Sequence, residues 1–241
     1  MTLPRAILLA AGSAQRLRPL TDALPKCLLD VGGRSIASRA VSTLAAHGIT
    51  RITVVDGFEG DRLRAALTAE FSPAWFDFRR NDEYAVTNNA WSLRLGLRDV
   101  DDSILLLDAD VLFDPAVVRL LLDAPHANRM AVRTRGELGE EEMKISLDGE
   151  GRVEDIGKEL SGKAAGESVG LAVFSAAFVR RLVPVLERRL VAERRVNEWY
   201  ESAFLELIRG GEPVVGVDVG DLHAIEVDTA EDLAEARRLF P

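Results

Sequence analysis

The runs at residues 6–10 and 103–107 are apolar on both faces, as expected of central parallel strands covered by helices on each side. Shorter β-branched or alternating stretches predict further strands at 51–56, 75–79, 130–134, 144–147, 152–156, 168–174, 213–218 and 224–227. Between them, apolar positions recur at helical spacing over 35–47, 60–70, 88–97, 115–122, 176–187, 197–209 and 230–239. Asp114 before Pro115 reads as a helix start, and Thr229 with Asp232 as a capping box. This alternation predicts an α/β, Rossmann-like, doubly wound fold with a mixed, mainly parallel sheet, in a single domain over residues 1–241. Residues 137–166 break the rhythm and read as a small antiparallel flap, with turns at Asp148-Gly149 and Gly157.

Composition narrows the partners. The chain has 241 residues, 47% of them hydrophobic, enough to bury a full core. A formal net charge of −9 argues against nucleic-acid binding, which requires a basic surface to displace counterions. The acids are spread along the chain and cluster only at 140–142. Cys27 is the sole cysteine, which excludes an internal disulfide and fits a reducing compartment, with cytoplasm the default. The apolar run at 6–11 is too short for a signal peptide, and no stretch reaches the ~20 apolar residues of a membrane span.

Candidate chemistry begins at residues 8–33, LLAAGSAQRLRPLTDALPKCLLDVGG, where a buried strand runs into a glycine-bearing basic loop. Gly12 lets backbone N–H groups approach a polyphosphate, and Arg16 and Lys26 add positive charge. On residue types alone, the stretch also fits a plain strand end with solvated Arg16, Arg18 and Lys26. The order of residues resembles the signature of the nucleotidyltransferase superfamily that makes nucleotide-sugars and CDP-alcohols, LAAGxGxRLxPLTxxxPKxLLxVxGxPL. The resemblance implies a GT-A-like nucleotidyltransferase fold in which Leu9, Ala10, Ala11, Gly12 and Ser13 line the nucleotide. It implies that Arg16 grips the triphosphate and that Lys26 binds phosphate in the transition state. The chain departs from the signature at Ala14, where the family has a second glycine, and at Ser35, where it has proline.

A second candidate is LLLDADVLFD at 105–114, an apolar strand ending in two acids at the carboxyl end, where α/β folds bind ligands. Asp108 and Asp110 also fit ordinary turn acids. Relatives carry a metal-binding Asp before an apolar pair, which resembles Asp110 before Val111 and Leu112. The late segment AIEVDTAEDLAEA resembles the family's WxEIDTPEDL. The resemblance implies Asp110 and Asp228 as metal ligands, with Glu226 in reserve and Asp108 near the nucleotide. Asp228 also fits a cap of the last helix. The implied cofactor is Mg²⁺ or Mn²⁺, a hard cation for oxygen ligands amid converging phosphates. Catalysis of this kind is mainly positioning and charge neutralisation.

The segment NDEYAVTNNAWSL at 81–93 offers Asn88 and Asn89 as donors and acceptors for a base edge, or as helix caps. Together with DADVLF, EEEMKI, GKEL, GESVGLAVF and NEWYESAF, it is similar to the phosphocholine-cytidylyltransferase-like branch, which acts on phosphocholine, inositol phosphate and aminoalkylphosphonates. That resemblance implies CTP as donor and a small phosphorylated or phosphonate acceptor. It offers Lys144 as a further catalytic phosphate contact and Lys158 and Glu167 on the acceptor side. Trp199, Tyr200 and Glu201 fit an ammonium-binding group, by cation–π contact beside a carboxylate, or the buried start of a helix. The rival readings are a sugar-1-phosphate enzyme using UTP, dTTP or GTP, and a non-catalytic nucleotide-sensing homologue. No GxGxxG follows the first strand, which excludes a Rossmann dehydrogenase. A monomer or small homo-oligomer is expected, with no nucleic-acid or membrane partner.

Overall fold

A computed structural model of the chain describes residues 3–135, 138–140, 142–160 and 162–241. The elements run β1 (Arg5–Ala10), β2 (Asp30–Val31), β3 (Arg34–Ser35), α1 (Ile36–Ala46), β4 (Ile52–Asp56), α2 (Gly60–Glu70), β5 (Phe76–Arg80) and α3 (Asn89–Gly96). There follow β6 (Ile104–Asp108), β7 (Val111–Phe113), α4 (Pro115–Asp123), β8 (Arg129–Arg133), β9 (Lys144–Leu147), β10 (Val153–Gly157) and β11 (Gly166–Phe174). The chain ends with α5 (Ala176–Leu186), α6 (Glu201–Arg209), β12 (Val215–Asp218), β13 (Ala224–Glu226) and α7 (Ala230–Leu239).

The nine-stranded sheet has the order β10-β9-β11-β6-β1-β4-β5, with β8 also paired to β11 and β12 to β8. Strands β6, β1, β4 and β5 are parallel, and β11 runs antiparallel to β6. Alternation along the strands builds a core on each face, because successive side chains point to opposite sides. Ala6, Leu8 and Ala10 of β1 pack with Leu105 and Leu107 under α1, α2 and α4. Ile7 and Leu9 pack with Ile104 and Leu106 under α3, α5 and α6. The doubly wound, mainly parallel α/β architecture expected from the sequence is therefore present.

A third core holds the basic loop in place. Leu17, Leu29, Val31 and Ile36 meet Leu112 of β7 and Val227, Leu233 and Ala236 near the chain's end. Burying one such leucine is worth about 1.5–3 kcal/mol, so apolar packing helps to hold the two ends of this loop.

Several boundaries differ from the sequence reading. The helix expected from 197 starts at Glu201, and the one expected over 176–187 continues as a π-helical segment, Glu187–Ala192. Trp75 belongs to a short 3₁₀ turn, so β5 starts one residue late. The pairs β2–β3 and β7–β13 were not foreseen. The flap is the β9–β10 hairpin, joined to the sheet where Lys144 and Ile145 pair with β11. Glu137 and Ser161 of the expected flap, and Glu141 of its acidic cluster, lie outside the described residues.

Candidate active site

From β1 the chain moves outward through β4 to β5, then crosses back to place β6 on the other side of β1. Ligands bind at such switch points, beyond the carboxyl ends of the strands. Here Leu9 of β1 is in register with Asp108 of β6, and both line a cleft of about 610 Å³.

The loop after β1 forms one wall. Ala11, Gly12 and Arg16 line the cleft. Ala10 is buried behind it, and Ser13 is absent from its lining. Ala14, at the signature's second glycine, is left-handed at φ 45° and ψ 54°. An alanine pays about 1–2 kcal/mol for that conformation and a glycine does not, which accounts for the family's preference. The fold stabilises the turn through the Ala14 carbonyl, which accepts from Thr21 Oγ1 at 2.8 Å and from the Leu17 amide at 3.1 Å.

Arg16, Asp110, Glu226 and Asp228 bring charge to the cleft, and Lys26, itself outside the lining, joins them through the carboxylates. Lys26 Nζ stands 2.8 Å from Asp110 Oδ2 and 2.6 Å from Asp228 Oδ1, and Arg16 reaches Asp228 Oδ2 at 2.5 Å. Burial works to lower the Lys26 pKa, but the charges of Asp110 and Asp228 outweigh it and raise the value. Burial likewise works against Asp228, and Lys26 and Arg16 prevail to hold its carboxyl below the ordinary range. Asp228 does not cap the last helix: Thr229 and Asp232 do, and Asp232 Oδ2 also accepts from the Asp228 amide at 3.0 Å.

Oxygens of Asp110, Glu226 and Asp228 lie within 4.8 Å of one another, and Asp110 Oδ1 is buried without a hydrogen-bond partner among the described residues. Converging hard oxygens and an orphaned buried acceptor fit a divalent cation such as Mg²⁺ or Mn²⁺. Withdrawal from bulk water and the charges of Asp110 and Asp228 push the Glu226 carboxyl up to about 8. Its surface still faces the open cleft, so water relieves part of the first effect and the like charges are the more durable cause. Bound cation charge reverses that shift.

Asp108 differs from Asp110. Burial, then the Asp110 charge, raises its carboxyl well above the ordinary range, opposed by the Tyr200 hydroxyl, which donates to Asp108 Oδ2 at 2.5 Å. Gly170, at φ 75°, passes so close that a Cβ there would lie 3.2 Å from Asp108 Oδ2 and 3.0 Å from Val111.

On the side of β4 and α3, Asn88 and Asn89 both face the cleft. Asn88 Oδ1 caps α3 by accepting from the Asn89 amide at 2.8 Å, and Asn89 Oδ1 accepts from the Tyr200 amide at 2.9 Å. Sequence reasoning gave no role to Asn81, Tyr84, Thr87 and Ser92 of this wall. Asn81 is 1% exposed and ties the wall together, donating to Thr87 Oγ1 and Ser92 Oγ at 3.1 Å each. An asparagine shortly after a strand was the available signal.

The lining also includes Lys158, Glu167, Trp199 and Glu201. Lys158 Nζ sits 5.1 Å from the centre of the Trp199 ring, so a lysine already covers the aromatic face that the sequence reading offered to an ammonium. The expected cluster also splits. Trp199 is 41% exposed, whereas Tyr200 is 3% exposed and does not line the cleft. Glu201 is 5% exposed, and its buried Oε2 has no hydrogen-bond partner among the described residues. Burial, with Glu226 adding to it, pushes the Glu201 carboxyl up to about 8. Lys144 also falls outside the lining, its Nζ donating to the Lys158 carbonyl at 3.0 Å. Arg133, which lines the cleft and pairs with Glu167 at 2.9 Å, had no signal in the sequence, since only the strand pairing brings them together.

This sheet, with its basic loop and acid-ended strands around one cleft, defines the chain as an α/β protein of the nucleotidyltransferase type. More particularly, it belongs to the MobA-like NTP transferase domain family, whose model matches residues 6–216. It is similar to a CMP-5'-(3-aminopropyl)phosphonate synthase of Streptomyces rubellomurinus, at 31% identity over 96% of this chain and 38% of that protein. It is similar to a bifunctional IPC transferase and DIPP synthase of Aquifex aeolicus, at 26% over 97% of this chain and 51% of that protein. The chain thus spans about half or less of the length of these two relatives. A 2-aminoethylphosphonate cytidylyltransferase of Lancefieldella rimae matches at 27% over 97% of this chain and 86% of that protein. Among solved structures, the CTP:phosphocholine cytidylyltransferase of Streptococcus pneumoniae shares the fold at a TM-score of 0.78 and 20% identity, over 100% of both chains.

Proposed function

We propose that this chain is a cation-dependent cytidylyltransferase that transfers CMP from CTP to a small phosphorylated or phosphonate acceptor, releasing pyrophosphate. The observation that carries the reading is the meeting of Lys26 and Arg16 with the cleft-lining carboxylates Asp110 and Asp228, which gathers at one point the charges that a triphosphate and its counter-cation need. The choice of CTP, and of an acceptor bearing an amine, is supported by the names of the similar proteins and by the buried Glu201 Oε2 at the cleft, which has no hydrogen-bond partner among the described residues.

In this reading Leu9, Ala11, Gly12 and Asn88 hold the nucleotide, and Arg16 faces its phosphates. Lys26 exchanges its carboxylate partners for phosphate oxygens as the acceptor oxygen attacks the α-phosphorus and the bond to the β-phosphate breaks. Asp110 and Asp228, with Glu226, would hold Mg²⁺ or Mn²⁺, which when bound supplies charge neutralisation to the phosphates. Lys158, Glu167 and Glu201 orient the acceptor, and Trp199 edges its site. No side-chain base is required, because a phosphate or phosphonate nucleophile is already an anion.

No helix among the described residues is long and apolar enough to cross a membrane, and the single cysteine makes a reducing cytoplasm the proposed setting. A panel of CTP, UTP, dTTP and GTP against 2-aminoethylphosphonate, phosphocholine, inositol phosphate and glucose-1-phosphate tests the proposal by pyrophosphate release. CTP with one of the first three acceptors is the expected pair. Turnover of UTP, dTTP or GTP with the sugar phosphate alone would replace this reading with the sugar-nucleotide one, and no turnover with any pair would leave a nucleotide sensor.

A further inference from the structure

Asn89 and Tyr200 lie 111 positions apart in the chain, yet the Tyr200 amide donates to Asn89 Oδ1 at 2.9 Å. Beside this bond, the Asn88 amide donates to the Val196 carbonyl at 3.0 Å. Further along the same segment, Arg189 grips Glu198 with two hydrogen bonds of 2.9 Å each, and the Tyr200 hydroxyl reaches Asp108. The stretch from Val196 to Tyr200 is therefore tied to the start of α3, to the π-helical segment and to the end of β6. It is irregular backbone, and the exposed residues just before it include Arg194, itself left-handed at φ 57°. Without ties of this kind such a loop has little to order it, since fixing each residue costs about 1–2 kcal/mol of conformational entropy.

Of these ties, the one through Asn89 comes from the wall that faces the nucleotide in the reading above, on which this inference rests. We infer that Asn89 is a positioning residue: its side-chain oxygen holds the Val196–Tyr200 segment so that Trp199 and Glu201 face the acceptor, and its role is in acceptor binding rather than base recognition. The oxygen is committed to Tyr200, and the bond it makes ends on the residue between Trp199 and Glu201. The chemistry separates the two roles. An aspartate at this position keeps an oxygen for the Tyr200 amide but has no NH₂ group to offer a base, and an alanine has neither.

Three proteins are compared: the unsubstituted chain, N89A and N89D. Trypsin cleavage after Arg194 and Arg195 reports on the segment without any substrate. N89A is expected to be cut roughly five- to tenfold faster, the size of one lost hydrogen bond, and N89D at the unsubstituted rate. With CTP and 2-aminoethylphosphonate, N89A is expected to raise the acceptor KM roughly five- to tenfold and to leave the CTP KM within about twofold, while N89D restores the acceptor KM. Equal trypsin rates for all three proteins, or a CTP KM raised alike in N89A and N89D, overturns the inference. Should N89A fail to fold, an elevated CTP KM in N89D still overturns it and an unchanged one supports it. If the unsubstituted chain turns over no nucleotide, the transferase reading fails alone, and the trypsin comparison still decides whether Asn89 positions the segment.

Discussion

Lys26 and Asp228, at opposite ends of the sequence, are joined by an ion pair of 2.6 Å, and the same ammonium bridges to Asp110 at 2.8 Å. The lysine thereby neutralises carboxylates that would otherwise repel one another. Lys26→Met is expected to lower kcat/KM by about 10²–10³-fold, the usual cost of losing one electrostatic contact to a transition state. It should also lower Tm in EDTA, and Mg²⁺ should restore more of that Tm than it adds to the unsubstituted protein. Thermal melts with and without Mg²⁺ check this. An equal Mg²⁺ shift in both proteins would mean that Lys26 and the cation do not answer to the same carboxylates.

Asp232 does two jobs with one oxygen. Its Oδ2 accepts from the Thr229 amide at 2.8 Å, closing the capping box of α7, and from the Asp228 amide at 3.0 Å. The helix cap thus orients a residue of the carboxylate cluster. Asp232→Ala should cost about 1 kcal/mol of stability, or roughly 2–4 °C in Tm for a domain of this size. It should also weaken Mn²⁺ binding by about tenfold, as loss of an outer-shell partner does. A Mn²⁺ titration followed by electron paramagnetic resonance measures the second effect, and unchanged affinity alongside a lowered Tm would confine Asp232 to the helix.

What the sequence revealed and what it hid follow from how far each interaction reaches. Strands β1 and β6 were legible because being buried on both faces leaves an uninterrupted apolar run, and Asp108 and Asp110 stood out together because they end such a run, with only the family resemblance to separate them. The helix expected from 197 has helical spacing, yet the chain stays outside the helix until Glu201. The bonds of Val196 to Asn88 and of Tyr200 to Asp108 hold it there, and no local pattern encodes them. Lys158 over Trp199 and Arg133 beside Glu167 are contacts of the same kind, made by pairing strands and loops that lie far apart in sequence. The acidic and basic residues of the centre were readable one by one. Their partners were not.

The methyl of Ala14 is the departure from the family signature with the clearest physical cost. At φ 45° an alanine is strained and a glycine is not, although glycine loses more backbone entropy on folding. The strain of about 1–2 kcal/mol equals or exceeds the entropy cost of about 0.4–1 kcal/mol, so Ala14→Gly should stabilise the protein by up to about 1.6 kcal/mol. Chemical denaturation would show this as a higher midpoint at an unchanged slope. A lowered midpoint would mean that the methyl's contacts with the core beneath the loop outweigh the strain.

Glu201 makes the cleft sensitive to pH. Burial first, and Glu226 after it, lift its carboxyl from an ordinary value of 4.5 to about 8. Between those values the folded protein holds a proton that the unfolded chain has shed, so stability should fall as pH rises through that window and level off above it. Glu201→Gln removes this slope, so its Tm advantage over the unsubstituted protein should grow from about pH 4.5 to about pH 8. In the proposed reading the same ionisation governs acceptor binding, because only the carboxylate attracts an ammonium. The KM of an amine-bearing acceptor such as 2-aminoethylphosphonate, taken relative to that of ethylphosphonate, should therefore fall further in the unsubstituted protein than in Glu201→Gln between about pH 6.5 and about pH 8.5, the variant cancelling titration of the two phosphonates themselves. A ratio that changes equally in both proteins would separate Glu201 from the amine and leave its raised pKa a consequence of burial alone.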